Sequence, residues 1–200
     1  ETPALNNPRL KVLLEHFRKN TRLGSGMLPA EVKAFAAEVE PECAGDAPLP
    51  VIDLNSPEFR RKLTSAFQVT QQDGSPVLTV VNPDRCTNVI FLPLDKKRLA
   101  GKEIILSADI RQYKVSQRSK PYNGVKLMLV LTGADGKRNY LQASTVDGSC
   151  DWTRRPLSLN IPADVRKVEL ALGLENVSGT VDFRNIRLEK AQPSGDYSGI

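Results

Sequence analysis

Histidine is nearly absent from this chain, which has only His16, and this limits the chemistry that the sequence can support. Catalytic arrangements built on serine or cysteine need a histidine placed beside the nucleophile. His16 lies in a helical pattern far from any cysteine, so we expect it to be an ordinary helix residue. The motifs GxxxxGK[ST] and GxGxxG are missing as well, and no cofactor is predicted. The sequence therefore predicts a protein that is not an enzyme.

Cysteine is also scarce, with Cys43, Cys86 and Cys150 as the only three. They have no CxxC spacing, and a structural zinc site needs about four nitrogen or sulfur ligands. No metal site is predicted from them. An odd number leaves open either one disulfide with a free thiol or three thiols. If a bridge forms, Cys86 can pair with Cys43 or with Cys150, and the sequence does not choose between them.

Long hydrophobic runs are absent, because no stretch approaches the roughly 18 apolar residues of a membrane-spanning helix. Aromatic residues make up only 6% of the chain. The net charge of +5 comes from 28 basic and 23 acidic residues, and the basic residues are spread along the chain. Nucleic-acid-binding proteins usually concentrate their basic residues on one element. We therefore expect neither a membrane span nor a nucleic-acid partner.

The first 50 residues have the pattern of two short helices. Apolar residues recur at helical spacing within residues 7–19 and again around residues 32–39. The stretch 43–50 (CAGDAPLP) is rich in proline, alanine and glycine and is typical of a linker. Two helices of this length cannot bury a core alone. Residues 1–50 are thus predicted to be a helical N-terminal segment with a linker.

From Val51 onward the hydrophobic pattern alternates, which indicates β-strands. A turn is predicted at residues 82–84 (NPD), and a one-residue slip in the last strand predicts a bulge. Gly173 and Gly179 permit a close backbone approach or a bulge. Many short strands without crossover helices favour an antiparallel β-sandwich over residues 51–200. The clearest predicted strands are Val77–Val81, Asn88–Leu94, Val125–Leu131 and Gly179–Glu189.

Several sequence blocks in this second part occur in a recognisable order. They are Leu99–Asp109 (LAGKEIILSAD), Lys120–Leu129 (KPYNGVKLML), Gly148–Trp152 (GSCDW), Ile161–Ala163 (IPA) and Leu172–Val181 (LGLENVSGTV). In order and composition they resemble blocks of the jelly-roll carbohydrate-binding modules that are appended to bacterial glycoside hydrolases. The resemblance covers about residues 77–189. It implies a mainly β, antiparallel jelly-roll β-sandwich, preceded here by the short α-helical segment.

The resemblance also implies a function. The expected protein is a non-catalytic carbohydrate-binding module of a secreted bacterial protein, accessory to a glycoside hydrolase and located outside the cell, at the cell surface or in the periplasm. A structural or protein-interaction module that binds no sugar is the alternative, because aromatic residues are few. Such sandwiches often hold a structural calcium, but Arg184 and Asn185 stand where the resembled modules have two acids. Calcium is therefore not expected.

The candidate sugar-binding residues are the few aromatic residues of this region together with polar neighbours. Rings stack on the apolar faces of sugars, while amides and charged groups bond the hydroxyls. The predicted residues are Tyr113, Tyr122, Asn123, Lys126, Tyr140, Gln142 and Trp152. Trp152, as the only tryptophan, is more typical of a core position than of a sugar platform. The predicted partner is a polysaccharide or glycan. An acidic one is an alternative, because residues 111–126 carry five basic residues and no acidic one.

Overall fold

The computed structural model describes residues 49–191. Two units divide the chain, Glu1–Ala47 and Pro48–Ile200, and the described residues all belong to the second. The helices predicted within residues 7–19 and around residues 32–39 lie outside the described residues, as does Cys43. The boundary predicted near residue 50 therefore stays a prediction.

The described part of the chain is mainly antiparallel β-structure, as the alternating pattern predicts. A one-turn helix, α1 (Pro57–Arg60), comes first, and the Ser56 hydroxyl caps it by accepting the Phe59 N–H at 3.2 Å. Seven strands follow in residues 49–191, and a 3₁₀ turn, Lys96–Arg98, lies between the second and the third. The strands are β1 (Phe67–Gln72), β2 (Ser75–Leu94), β3 (Glu103–Val115), β4 (Gly124–Thr132), β5 (Arg138–Gln142), β6 (Gly148–Asn160) and β7 (Lys167–Lys190).

Two long strands, β2 and β7, connect two halves of the sheet. Residues 75–82 of β2 and 179–190 of β7 pair with each other and with β1 and β3, and β6 pairs with β3; we call this the five-stranded half. Residues 86–94 of β2 and 167–177 of β7 pair with each other, β4 pairs with β7, and β5 pairs with β4; this is the four-stranded half. Each of these strand pairs is antiparallel. Each of these two long strands thus belongs to both halves, whereas the sequence pattern suggests two separate strands in its place.

The turn predicted at residues 82–84 is wrong, because β2 runs through these residues. Its register against β7 shifts between Asn82 and Cys86 and again between Cys86 and Thr87. The Asn82 side chain is buried, and its Nδ2 donates to the carbonyl oxygens of Cys86 (2.8 Å) and Val177 (2.9 Å). This amide holds the irregular stretch together, so the chain bends instead of turning back.

The bulge predicted in the last strand is confirmed. Against β3, β7 advances from Arg184 to Arg187 while β3 moves only from Asp109 to Ser107, so β7 carries one extra residue. Asn185 takes a positive φ of 51° there. Phe183 before the bulge and Ile186 after it are out of phase in the sequence. The extra residue brings both side chains to the same buried face.

The main hydrophobic core lies between the inner faces of the two halves. Leu106 of β3 and Leu127 of β4 belong to one buried cluster, although β3 and β4 are not hydrogen-bonded to each other. β4, predicted as a central strand, is buried along nearly its whole length. Within residues 49–191, no helix is long and apolar enough to cross a membrane. Cys86 and Cys150 are both free thiols, so the bridge between these two that the sequence left open is not formed.

Because the strands between residues 67 and 190 supply their own core, residues 51–200 should fold without residues 1–50. A fragment of residues 51–200 should give the circular dichroism spectrum of a β-protein and a cooperative thermal transition. An unfolded fragment, beside a folded full chain, would place the first 50 residues in the same cooperative unit.

Candidate functional site

A groove with a volume of ≈ 900 Å³ lies on the outer face of the four-stranded half. Strand alternation puts every second residue of β2, β4 and β5 on this face. The residues that line the groove are Thr87, Val89, Phe91, Arg118, Pro121, Tyr122, Lys126, Met128, Tyr140, Gln142, Ala143, Ser144, Thr145 and Glu175. The groove thus joins residues of four strands, β2, β4, β5 and β7, to the loops that precede β4 and follow β5.

Next to this groove is a small apolar cluster, separate from the main core. Met128, Val130 and Ala171 form it, with Val89 packed against them. Gly173 is the register partner of both Val89 and Lys126. A Cβ at Gly173 would lie 2.0 Å from the carbonyl oxygen of Asn88, so only glycine allows β7 this close to β2. The close approach predicted for this glycine is confirmed.

Three rings stand in the groove with much of their surface exposed. Tyr122 is 57% exposed, Tyr140 56% and Phe91 45%. The sequence predicted both tyrosines but not Phe91, although the alternation of β2 contains the signal. Ile90 and Leu92 face the core, so Phe91 between them must face outward. Exposed rings of this size need a reason, because aromatic side chains gain free energy when they are covered.

The polar centre of the groove is Lys126, which is only 3% exposed. Its Nζ lies 2.5 Å from Glu175 Oε2 and 2.9 Å from Gln142 Oε1, and it also donates to the backbone carbonyl of Tyr122. These three acceptors match the three hydrogens of an ammonium group. Lys126 therefore fixes the groups around it, so its ammonium is used within the protein, whereas the sequence predicted that it bonds sugar hydroxyls.

The loop that carries Tyr122 is held from several sides. Arg118 Nε lies 2.8 Å from Asp147 Oδ1, and Arg118 Nη2 donates to the Thr145 carbonyl at 2.8 Å. Asn123 is buried and its Nδ2 donates to the Ser119 hydroxyl at 2.9 Å. Asn123 thus supports the loop and does not line the groove. With so many bonds inside the protein, Tyr122 is positioned before any ligand arrives.

A further cation, Lys120, lies beside Tyr122, with its ammonium 5.6 Å from the ring centroid. A hydrogen bond with the Tyr122 side chain, together with its charge interaction, raises the pKa of Lys120 above the ordinary lysine value. The shift favours the charged form, which an ordinary lysine already has at neutral pH. Its contribution is weakened by solvent, because the group is fully exposed.

Two of the predicted residues, Tyr113 and Trp152, lie on the outer face of the five-stranded half and not in the groove. Trp152 is half-buried, and the guanidinium groups of Arg184 and Arg111 lie 4.1 Å and 4.7 Å from its ring centroid. Tyr113 is exposed on β3. Of the other predicted residues, the groove brings together Tyr122, Lys126, Tyr140 and Gln142, with Asn123 behind them.

Asp109, the last residue of the Leu99–Asp109 block, is surrounded by donors. Asn185 Nδ2 donates to it at 2.7 Å, and Arg154 and Arg184 lie 3.4 Å and 3.8 Å from its carboxylate. Among residues 49–191, no group of three or more His, Cys, Asp or Glu side chains is placed to hold a metal ion. Guanidinium and amide groups are thus the observed partners of this carboxylate.

No protein-family model and no curated protein matches the chain, but solved structures do. A fragment of Clostridium thermocellum endo-1,4-beta-D-xylanase 10B, with a family 22 carbohydrate-binding module, a GH10 module and bound xylohexaose, is 12% identical with a TM-score of 0.49. It covers 65% of this chain, and this chain covers only 26% of it. A family 16 carbohydrate-binding module is 15% identical with a TM-score of 0.46. The match covers 62% of this chain and 86% of that module.

A xylan-binding family 22 domain from Paenibacillus barcinonensis is 14% identical with a TM-score of 0.47. The match covers 64% of this chain and 82% of that domain. Carbohydrate-binding modules are thus among the solved structures that this chain resembles in part. The sequence blocks resemble the same class of module.

Proposed function

We propose that the β-domain is a non-catalytic carbohydrate-binding module with a jelly-roll β-sandwich fold, and that it binds a polysaccharide chain along the groove. The observation that carries the proposal is the combination of three exposed rings with a fixed polar centre in one groove. Phe91, Tyr122 and Tyr140 offer apolar faces to sugar rings, and Gln142 and Glu175 offer polar atoms to hydroxyls. Sugars are bound by this combination, because each pyranose has an apolar face and a polar rim.

The charges of the groove favour an uncharged polysaccharide. Arg118 is paired with Asp147, and Lys126 with Glu175, so two of the cations that suggested an acidic glycan are already neutralised. A third, Arg111, is paired with Asp182 on the other face. Lys120 remains as the cation beside a groove ring. Binding to a neutral chain should therefore change little with ionic strength, whereas binding to an acidic chain should weaken as salt rises past about 0.15 M.

Replacing Tyr122 by alanine should remove most of the binding, because the ring is exposed and its loop is already ordered. We expect a loss of at least about tenfold in affinity, since truncating an aromatic anchor commonly costs about 2 kcal/mol. Affinity electrophoresis in gels that contain soluble xylan, mixed-linkage β-glucan, galactomannan or polygalacturonate measures it. The control is Val81→Ala, which truncates an exposed apolar side chain (45%) that does not line the groove.

Equal retardation of wild-type protein and Tyr122→Ala in every gel that slows the protein would place binding outside the groove. If none of the polysaccharides slows the wild-type protein, the alternative of a structural or protein-interaction module takes the place of this proposal.

We further propose that the module belongs to a secreted bacterial protein and is accessory to a glycoside hydrolase. That part rests on the sequence blocks alone, and finding it in culture supernatant with a hydrolase would test it.

A further inference from the structure

A second pocket lies on the outer face of the five-stranded half, away from the groove. Its volume is ≈ 550 Å³, which is within the range of about 300–1,000 Å³ common for small-molecule sites. Residues of β3, β6 and β7 line it: Arg111, Gln112, Tyr113, Ser149, Cys150, Asp151, Thr180 and Asp182. We call it the Tyr113 pocket. No residue of this pocket lines the groove.

The ring of the pocket is Tyr113, which is 59% exposed and lies opposite Thr180 in the register of β3 and β7. The adjacent Lys114 has a positive φ of 50°, which is costly for a residue with a side chain. Gly179 accompanies this conformation, because a Cβ there would lie 2.8 Å from the Lys114 carbonyl oxygen. The Lys114 ammonium lies 5.0 Å from the Tyr113 ring centroid. The fold therefore maintains a strained backbone beside an exposed ring.

The polar side of the pocket is rigid. Arg111 donates to Asp182 Oδ2 from Nε (2.9 Å) and Nη2 (2.7 Å), and the Thr79 hydroxyl donates to Asp182 Oδ1 at 2.6 Å. These bonds leave Arg111 Nη1 as the donor that the ion pair does not use. Arg111 is also stacked on Trp152, so its guanidinium is fixed on a second side.

Gln112 lies beneath the pocket and has an acceptor without a partner. It is 3% exposed, and its Oε1 has no hydrogen-bond partner among residues 49–191, while its Nε2 donates to the Val146 carbonyl at 2.7 Å. Buried polar atoms in native proteins nearly always have a partner, which can be water or a ligand. Strand alternation puts the Gln112 side chain on the core side of β3, with Ile110, while Arg111 and Tyr113 face the pocket, so this acceptor lies beneath the pocket and is not offered to a ligand.

From these features we infer that the Tyr113 pocket is a second carbohydrate-binding site, which takes a single neutral pyranose unit such as the end of a glycan chain. The apolar face of the sugar stacks on Tyr113, and its hydroxyls bond Arg111 and Asp151. A neutral sugar fits better than an acidic one, because Arg111 is already paired with Asp182 and the remaining charged residue of the lining, Asp151, is acidic. The site is independent of the proposed groove and would exist even if the groove bound nothing.

The single tryptophan makes this testable, because Trp152 contacts the pocket residue Arg111 and lies on the face opposite the groove. Tryptophan emission is titrated with methyl β-D-xylopyranoside, methyl β-D-glucopyranoside and methyl β-D-galactopyranoside, with glycerol and methyl β-D-glucuronide as comparisons. We expect at least one neutral glycoside to change the emission with saturation. Tyr113→Ala should weaken this binding at least about tenfold.

The matched control is Tyr140→Ala, an equally exposed tyrosine of the groove, which should leave the emission titration unchanged. A second variant, Arg111→Lys, keeps the charge but loses the bidentate geometry, and it should also weaken binding. The inference is overturned if no neutral glycoside gives a saturable change, if glycerol gives the same change, if Tyr113→Ala binds as wild type does, or if only the glucuronide binds. Because this readout does not involve Tyr122, its failure is distinguishable from failure of the groove.

Discussion

Gly173→Ala should destabilise the β-domain more than any other single methyl addition on the groove face. A Cβ at this position would lie 2.0 Å from the Asn88 carbonyl oxygen and 2.8 Å from Val89 Cα, both of them backbone atoms that cannot rotate away. The strands β2 and β7 would have to separate where they form the groove. We expect a loss of at least about 3 kcal/mol in the free energy of unfolding, measured by urea denaturation. For a domain of this size, that corresponds to a fall of about 6–12 °C in Tm.

The control for this prediction is Gly74→Ala. Gly74 also has a positive φ, 75°, but a Cβ there would have nothing within 4 Å. This variant therefore carries only the backbone strain, which costs about 1 kcal/mol. Equal losses from the two variants would mean that the close approach of β2 to β7 relaxes at little cost, and that Gly173 is required only for its φ.

The strands of this fold could be predicted from alternation, but their continuity could not. A pattern of apolar residues shows which residues share a face, and it marks Asn82-Pro83-Asp84 as a break. Whether the chain turns or bends there depends on the buried Asn82 amide, which bonds Val177 from a distant part of the sequence. No local pattern contains that bond. The bulge in β7 was predictable because the slip lies within one strand.

The candidate site shows the same division between local and long-range information. Tyr122 and Tyr140 were predictable as candidate site residues because few rings are available in a chain so poor in aromatics. Phe91 was missed because a phenylalanine in an apolar run is usually a core residue. The pairing of Lys126 with Glu175 was also missed, since they are far apart in the sequence and only the register of β4 and β7 brings them together.

Lys126→Met should both destabilise the domain and weaken binding in the groove, and a second substitution should separate the two effects. Methionine is similar in length but removes the ammonium that bonds Glu175, Gln142 and the Tyr122 carbonyl. Removing one member of a buried pair costs about 3–5 kcal/mol, because the remaining charge is left without a partner. Here we expect about 2–4 kcal/mol, since the Glu175 side chain remains 34% exposed and water can solvate it.

In the double variant Lys126→Met/Glu175→Gln, no charge is left unpaired, and most of the lost stability should return. Binding should not return, because Tyr122 and Gln142 have lost the group that positions them. We expect both variants to bind the retarding polysaccharide at least about tenfold more weakly than wild type by affinity electrophoresis, with urea denaturation giving the stability of each. A double variant that binds as tightly as wild type would show that Lys126 serves only the fold. A double variant as unstable as the single one would show that the hydrogen bonds to Tyr122 and Gln142, and not the unpaired carboxylate, account for the stability that Lys126 provides.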